Sequence, residues 1–349
     1  MMLHCTEGPC PAPSVFGPLM TSSAVPADVT LSDQASDQQS GGQVSRRQIV
    51  GFGSAVALST LAWPRRDLRG QDLGTSDGQR CLLGFSTYGM PSVKTEQAIE
   101  VLGQIGYDSV ELCVRKGVDA DSAALAMARR DVIASKLADA KLRLTSLMEH
   151  VFPLKSQQPA ALVRLKLAAQ LAHDLSPQHP PVIQTVLGGG DFLKLRQQLR
   201  DNLGQWVELA NQQEVVIAIK PHRGGVVSKP ADALWLFDQL GKPQRLRMVY
   251  DYSHYAFRDL DLAQTVQQSL PYIAHVAVKD AVQEGERVRF CLPGEAGTID
   301  FAQLIRLLHR GGYRGDINCE VSSQVSKQPG YDPIQAAKVC YRNLSPLVK

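Results

Sequence analysis

No apolar run in this 349-residue chain is long enough to cross a bilayer as a stable helix. Strong charge is also missing: the formal net charge is +3, and no long Lys/Arg run or basic stripe interleaved with aromatics adds to it. That excludes the electrostatic footprint of a nucleic-acid binder. Of the seven cysteines, no two have the C-x-x-C spacing of a zinc or redox site. Cys5 and Cys10 lie in the N-terminal segment, leaving Cys81, Cys113, Cys291, Cys319 and Cys340, an odd number that argues against a disulfide framework. Cys113 and Cys319 sit in apolar stretches and read as small core residues. What remains is an ordinary globular balance, 44% hydrophobic and 20% charged. A chain this long buries a full core without disulfides or a structural metal.

The first eighty residues differ from the rest. Residues 1–44 are rich in Ser, Pro, Gln, Asp and Gly, show no hydrophobic period, and read as a disordered extension. Residues 45–62 begin Ser45-Arg46-Arg47-Gln48-Ile49 and continue into an apolar run from Val50 to Ala62. Twin arginines directly before a weakly hydrophobic stretch of that length resemble a Tat export signal. The expectation is an exported, periplasmic protein with no membrane span once the signal is removed. Residues 63–79 are a polar linker.

From Cys81 onward, short apolar runs alternate with longer helical ones. Barrel strands are buried on both faces and read as near-continuous apolar runs. The runs are Cys81–Ser86, Tyr107–Val114, Leu142–Met148, Val182–Leu187, Val215–Lys220, Leu246–Asp251, Ile273–Lys279 and Asp316–Val321. Helical text follows each, from about Lys94, Ser122, Pro159, Asp191, Pro230, Asp259, Asp300 and Asp332. Eight such units over residues 80–349 predict an α/β fold, a (β/α)₈ TIM barrel. A doubly wound sheet would need a G-x-G-x-x-G turn. Gly188-Gly189-Gly190 lacks that spacing and reads instead as a tight turn that lets Asp191 cap the next helix.

A barrel gathers the C-terminal ends of its strands at one mouth, and polar residues recur at those ends. Glu111 lies on the second strand, Glu149-His150 end the third, and Lys220-Pro221-His222-Arg223 end the fifth. Asp251 ends the sixth with His254 three residues on, Lys279-Asp280 end the seventh, and Glu320 ends the eighth. Asp251 and Glu320 terminate apolar strands and are expected to point inward. An unpaired buried charge is expensive, so they need a cation or a ligand, and Lys220 is a candidate cation. Arg223 and Lys279 either bind a phosphate or are solvated rim charges.

These residues carry a resemblance. Gly106–Leu112, Lys220–Gly225, Asp251–His254, His275–Asp280 and Gly294–Phe301, with Glu320, resemble in order the segments of the xylose isomerase-like barrel superfamily, the sugar phosphate isomerase/epimerase group. The resemblance implies an isomerase or epimerase acting on a small carbohydrate through an enolate-type intermediate, in a protein that often pairs as a homodimer. It also implies a Mn²⁺, Mg²⁺ or Zn²⁺ held by a glutamate, an aspartate, a histidine and a second glutamate on strands five to eight. Here Lys220 stands at the first of these positions and Ala277 at the third, leaving Asp251 and Glu320 as remnant ligands. A site of two carboxylates and an ammonium is expected to hold a divalent ion weakly or not at all, and a relocated site would draw on His222, His254 or Glu149. Lys220, Asp251 and Glu320 are therefore the candidate catalytic residues, with His222, His254, Glu111, Arg223 and Lys279 as substrate contacts. The alternative is a non-catalytic sugar-binding or structural barrel in which a lysine–carboxylate cluster has replaced the metal. A phosphodiester-cleaving relative ranks last, because its ligand set is depleted here.

Overall fold

The computed structural model describes residues 80–154 and 157–349. The disordered extension, the Tat-like segment and the linker expected over residues 1–79 lie outside the described residues. Eight parallel strands close into a barrel. They are β1 (Leu82–Ser86), β2 (Ser109–Cys113), β3 (Arg143–Met148), β4 (Val182–Thr185), β5 (Ile217–Ile219), β6 (Leu246–Tyr250), β7 (Ile273–Val278) and β10 (Asp316–Cys319). β1 pairs with both β2 and β10, which closes the ring.

The helices follow where their caps and apolar spacing place them. α1 (Thr95–Ile105) buries Ala98, Ile99 and Leu102 at helical spacing and stops at Gly106, whose φ of 103° suits glycine. Asp191 caps α4 (Phe192–Gln212) by accepting from the amides of Leu193 and Lys194. Asp300 caps α7 (Phe301–Arg310) through the Gln303 amide. α2 (Met127–Asp139), α3 (Gln158–Leu175), α5 (Pro230–Gln239) and α6 (Leu262–Ser269) complete the ring, with a short α8 (Ser323–Ser326) before the last helix. That last helix, α9 (Pro333–Val348), runs past its expected end near Asn343, with Leu344 and Val348 buried in its final turns.

One expectation needs correction, and one element was not anticipated. α2 begins at Met127 rather than Ser122, because the chain from Ser122 is held in turns by Asp121, which accepts from Gly117 N and Ala123 N. An antiparallel hairpin, β8 (Asp280–Glu284) with β9 (Arg287–Cys291), occupies the connection between β7 and α7. Gly285, at φ 61°, opens its two-residue turn.

The large apolar core lies between barrel and helices. Inside the barrel the packing is layered by strand parity. Ala218, Val249 and Ala277 form a small apolar cluster. Each stands two residues before Lys220, Asp251 or Lys279, so this layer is the floor of the mouth. Below it lie His275 and Asp316, both buried.

A candidate active site of two lysines and two carboxylates

Lys220 follows β5, Asp251 follows β6, Lys279 follows β7 and Glu320 follows β10. All four are buried, with relative exposures of 3%, 0%, 2% and 5%. The strands end one residue earlier than the side chains that matter, so each charge sits at the first step of a βα loop and points into the mouth. Lys220 Nζ donates to Glu320 Oε2 and lies 3.7 Å from Asp251 Oδ2. Lys279 Nζ donates to Asp251 Oδ2, and to Glu320 Oε1 at 2.8 Å. It also lies 3.1 Å from His254 Nε2. The other oxygen of Asp251 accepts from Ser253 Oγ at 2.6 Å and from the Ser253 amide.

Burial works to raise both carboxyls, but Lys220 and Lys279 outweigh it and hold Asp251 and Glu320 below the usual carboxylate range. Burial likewise works against the Lys279 ammonium, and Asp251 and Glu320 hold it above its ordinary value. The cluster is thus two ammoniums against two carboxylates, with zero net charge.

Two neutral histidines flank it. Burial, then Lys279 and Lys220, push His222 down to about 4. Burial and Lys279 push His254 well below its ordinary value. Their rings lie 4.0 Å apart between centroids. An ammonium only donates, so His254 Nε2 accepts from Lys279 and the ring proton sits on Nδ1. Nδ1 is buried with no hydrogen-bond partner among the described residues. Buried donors are nearly always satisfied, so this one suits a substrate hydroxyl. Phe290 of β9 covers the group, 5.1 Å from the His254 ring centroid and 5.1 Å from Lys279 Nζ.

Not every candidate joins this cluster. Glu111 lies inside the barrel, fully buried, with its oxygens engaged by Gln184 at 2.9 Å, His275 at 3.2 Å and Asn318 at 3.4 Å. Arg223 donates to the Ala256 carbonyl, so it serves the loop after β6. Glu149 is held by Arg164 and Ser122, which argues against a relocated metal site there. Lys279 is no solvated rim charge: it sits at the centre. The sequence offered one signal for that, its position two residues beyond Ala277 on the inward parity of β7.

Asp251, His254 and Glu320 present ligand atoms within 4.8 Å of one another, the only such trio found among the described residues. The residues do not fit a divalent ion, because Lys279 Nζ contacts all three at once and Lys220 Nζ contacts Glu320. An ion there would meet two ammoniums at contact distance, in a site with no net charge to attract it.

The sequence model of the xylose isomerase-like TIM barrel family matches residues 99–340. The L-ribulose-5-phosphate 3-epimerase UlaE of Escherichia coli is 24% identical over 254 residues, 69% of this chain and 86% of that protein. A Mus musculus protein provisionally named a hydroxypyruvate isomerase is 32% identical over 91 residues, and the chain spans only 30% of its length. The crystal structure of 3-keto-D-glucoside 4-epimerase YcjR from Escherichia coli superposes with a TM-score of 0.60 at 15% identity, covering 77% of this chain and 99% of that one. The fold and the family match together identify the chain as a member of the xylose isomerase-like TIM barrel family.

Proposed function

We propose that this protein is a sugar isomerase or epimerase in which the Lys279 and Lys220 ammoniums do the electrostatic work usually given to a divalent metal. One observation carries the reading: Lys279 Nζ sits where the three converging donor atoms of Asp251, His254 and Glu320 meet. The named relatives, an epimerase of a sugar phosphate and a provisional isomerase of a keto acid, support the substrate class.

The chemistry follows from placement. A carboxylate, Glu320 or Asp251, removes a proton from the carbon beside a substrate carbonyl. The electron pair moves onto the carbonyl oxygen, giving an enolate-type anion. An ammonium fixed in a dry site stabilises that oxygen without reorganising, an effect typically worth ~10²–10³ in rate. If the neighbouring hydroxyl passes its proton to that oxygen and the carbon-bound proton returns to the former carbonyl carbon, the substrate is isomerised; if the second carboxylate, protonated, delivers a proton to the opposite face of the original carbon, it is epimerised. His254 Nδ1–H and His222 are placed to meet substrate hydroxyls.

One observation favours a second reading. The four charges already satisfy one another and are almost fully buried, as a purely structural ion network would be. Turnover separates the two. Metal-stripped protein should convert at least one member of a panel of aldoses, ketoses and their phosphates, chelator should not reduce the rate, and Lys220→Ala should abolish it while the fold survives. Binding without conversion across the panel would favour the structural reading. Unchanged turnover in Lys220→Ala would remove Lys220 from the mechanism.

A further inference from the structure

The basic residues around the mouth are almost all committed. Lys220 and Lys279 hold carboxylates, Arg164 pairs with Asp121 and Glu149, Arg223 donates to Ala256 O, and Arg258 donates to Ser228. Arg115 is different. It lies two residues beyond β2, on the side of the barrel where the strand ends open, and it is half-buried. It has no carboxylate partner among the described residues. Its guanidinium stands over the Tyr88 ring, 4.6 Å from the centroid, with the Cys113 thiol beside it. Its Nε is buried without a hydrogen-bond partner.

A guanidinium stacked on a ring uses its face and keeps its edge of N–H donors available. That edge matches the two oxygens of a carboxylate or phosphate. A half-buried cation with an unsatisfied donor is costly unless an anion completes it. His150, which follows β3, lies within electrostatic reach of Arg115, of Lys220 and of Glu320. The rim arginine and the lysine–carboxylate centre therefore act on one neighbourhood. His150 keeps an exposed edge at the rim, and desolvation of the rest of the ring, then Arg115 and Lys220, hold its imidazole below its ordinary value.

We propose that Arg115, with His150 beside it, binds an anionic group of the substrate, a carboxylate or a phosphate, while the reacting carbons lie over Lys220 and Glu320. This deepens the isomerase reading and rests on it for the second half. It narrows the substrate class to sugar acids and sugar phosphates and sets neutral sugars aside.

The test is calorimetric titration of the full chain with inorganic phosphate, glycolate and glycerol. Wild type is expected to bind phosphate or glycolate but not glycerol. Arg115→Gln should weaken that binding at least about tenfold, and Arg115→Lys, which keeps charge but not the fork, by less. Binding of phosphate alone assigns a phosphorylated substrate, and binding of glycolate alone assigns a sugar acid. Failure of both anions to bind wild type at about 50 mM, or equal binding by a folded Arg115→Gln protein, overturns the proposal. Lys220→Met should bind the anion as wild type does. If that variant also turned over substrate normally, the isomerase mechanism would fall while the anion site stood.

Discussion

Lys279 and Lys220 carry the same charge in the same cluster, yet their contacts differ. Lys279 bridges Asp251, His254 and Glu320, whereas Lys220 makes one close contact, to Glu320, and stands 3.7 Å from Asp251. Removing one partner from a buried ion pair typically costs about 3–5 kcal/mol, because the remaining charge is left uncompensated. Lys279→Met should therefore lose about that much in urea unfolding. Lys220→Met should lose clearly less, since Lys279 still reaches both carboxylates. Equal losses would show that the two ammoniums are interchangeable and would weaken the assignment of Lys279 as the fixed cation.

The β8–β9 hairpin brings Phe290 over the charged cluster, and Asp280 anchors it. Asp280 Oδ1 accepts from Ala281 N, and its Oδ2 accepts from Ala296 N and Gly297 N. One side chain thus ties the base of the hairpin to the segment that leads into α7. A buried amide left without an acceptor costs about 1–3 kcal/mol. Asp280→Ala should destabilise the protein by about that amount, with faster amide exchange at residues 292–297. Asp280→Asn keeps one carbonyl acceptor and should fall between. If exchange in that segment did not change, Asp280 would not be its anchor. Asp280 stands beside Lys279 in the motif read from the sequence, but its work is to shape the loop.

The barrel interior sets the pH range of the whole molecule. His275 lies between Asp316, with Nδ1 2.9 Å from Oδ1, and Glu111, with Nε2 3.2 Å from Oε2. Burial works against its charge, but Asp316 and Glu111 raise it from 6.5 to about 10. A raised pKa stabilises the fold fully below the unfolded value, and that contribution fades as pH rises from 6.5 through about 10. Asp251 and Glu320 act in the opposite sense: their lowered values stabilise above the ordinary carboxylate range, and the contribution is lost as pH falls. The urea midpoint should be highest at about pH 5–7 and fall on both sides. His275→Gln should flatten the alkaline limb. A midpoint that climbs steadily toward pH 10 would contradict a charged His275.

Much of this was readable in one dimension. Apolar runs alternating with capped helical text specify eight βα units, because strands buried on both faces have no other way to be written. Asp251 and Glu320 were legible because each ends such a run, where parity points the side chain inward. The hairpin was not, since its alternation is confined to five residues on each side of Gly285 and carries several charges. Lys279 was legible only as a substrate or phosphate contact or a rim charge, because nothing in its strand reveals what covers the mouth. The sequence alone determined the fold class, and it put Lys220 and Ala277 at two of the positions where the family resemblance implies metal ligands. Only the tertiary structure decided that Lys279 is the central cation, that Glu111 and His275 face each other below it, and that Arg115 has no carboxylate partner among the described residues. Each of those facts depends on residues from strands far apart in the chain meeting across the barrel, and distance across a closed sheet is not written in any local period.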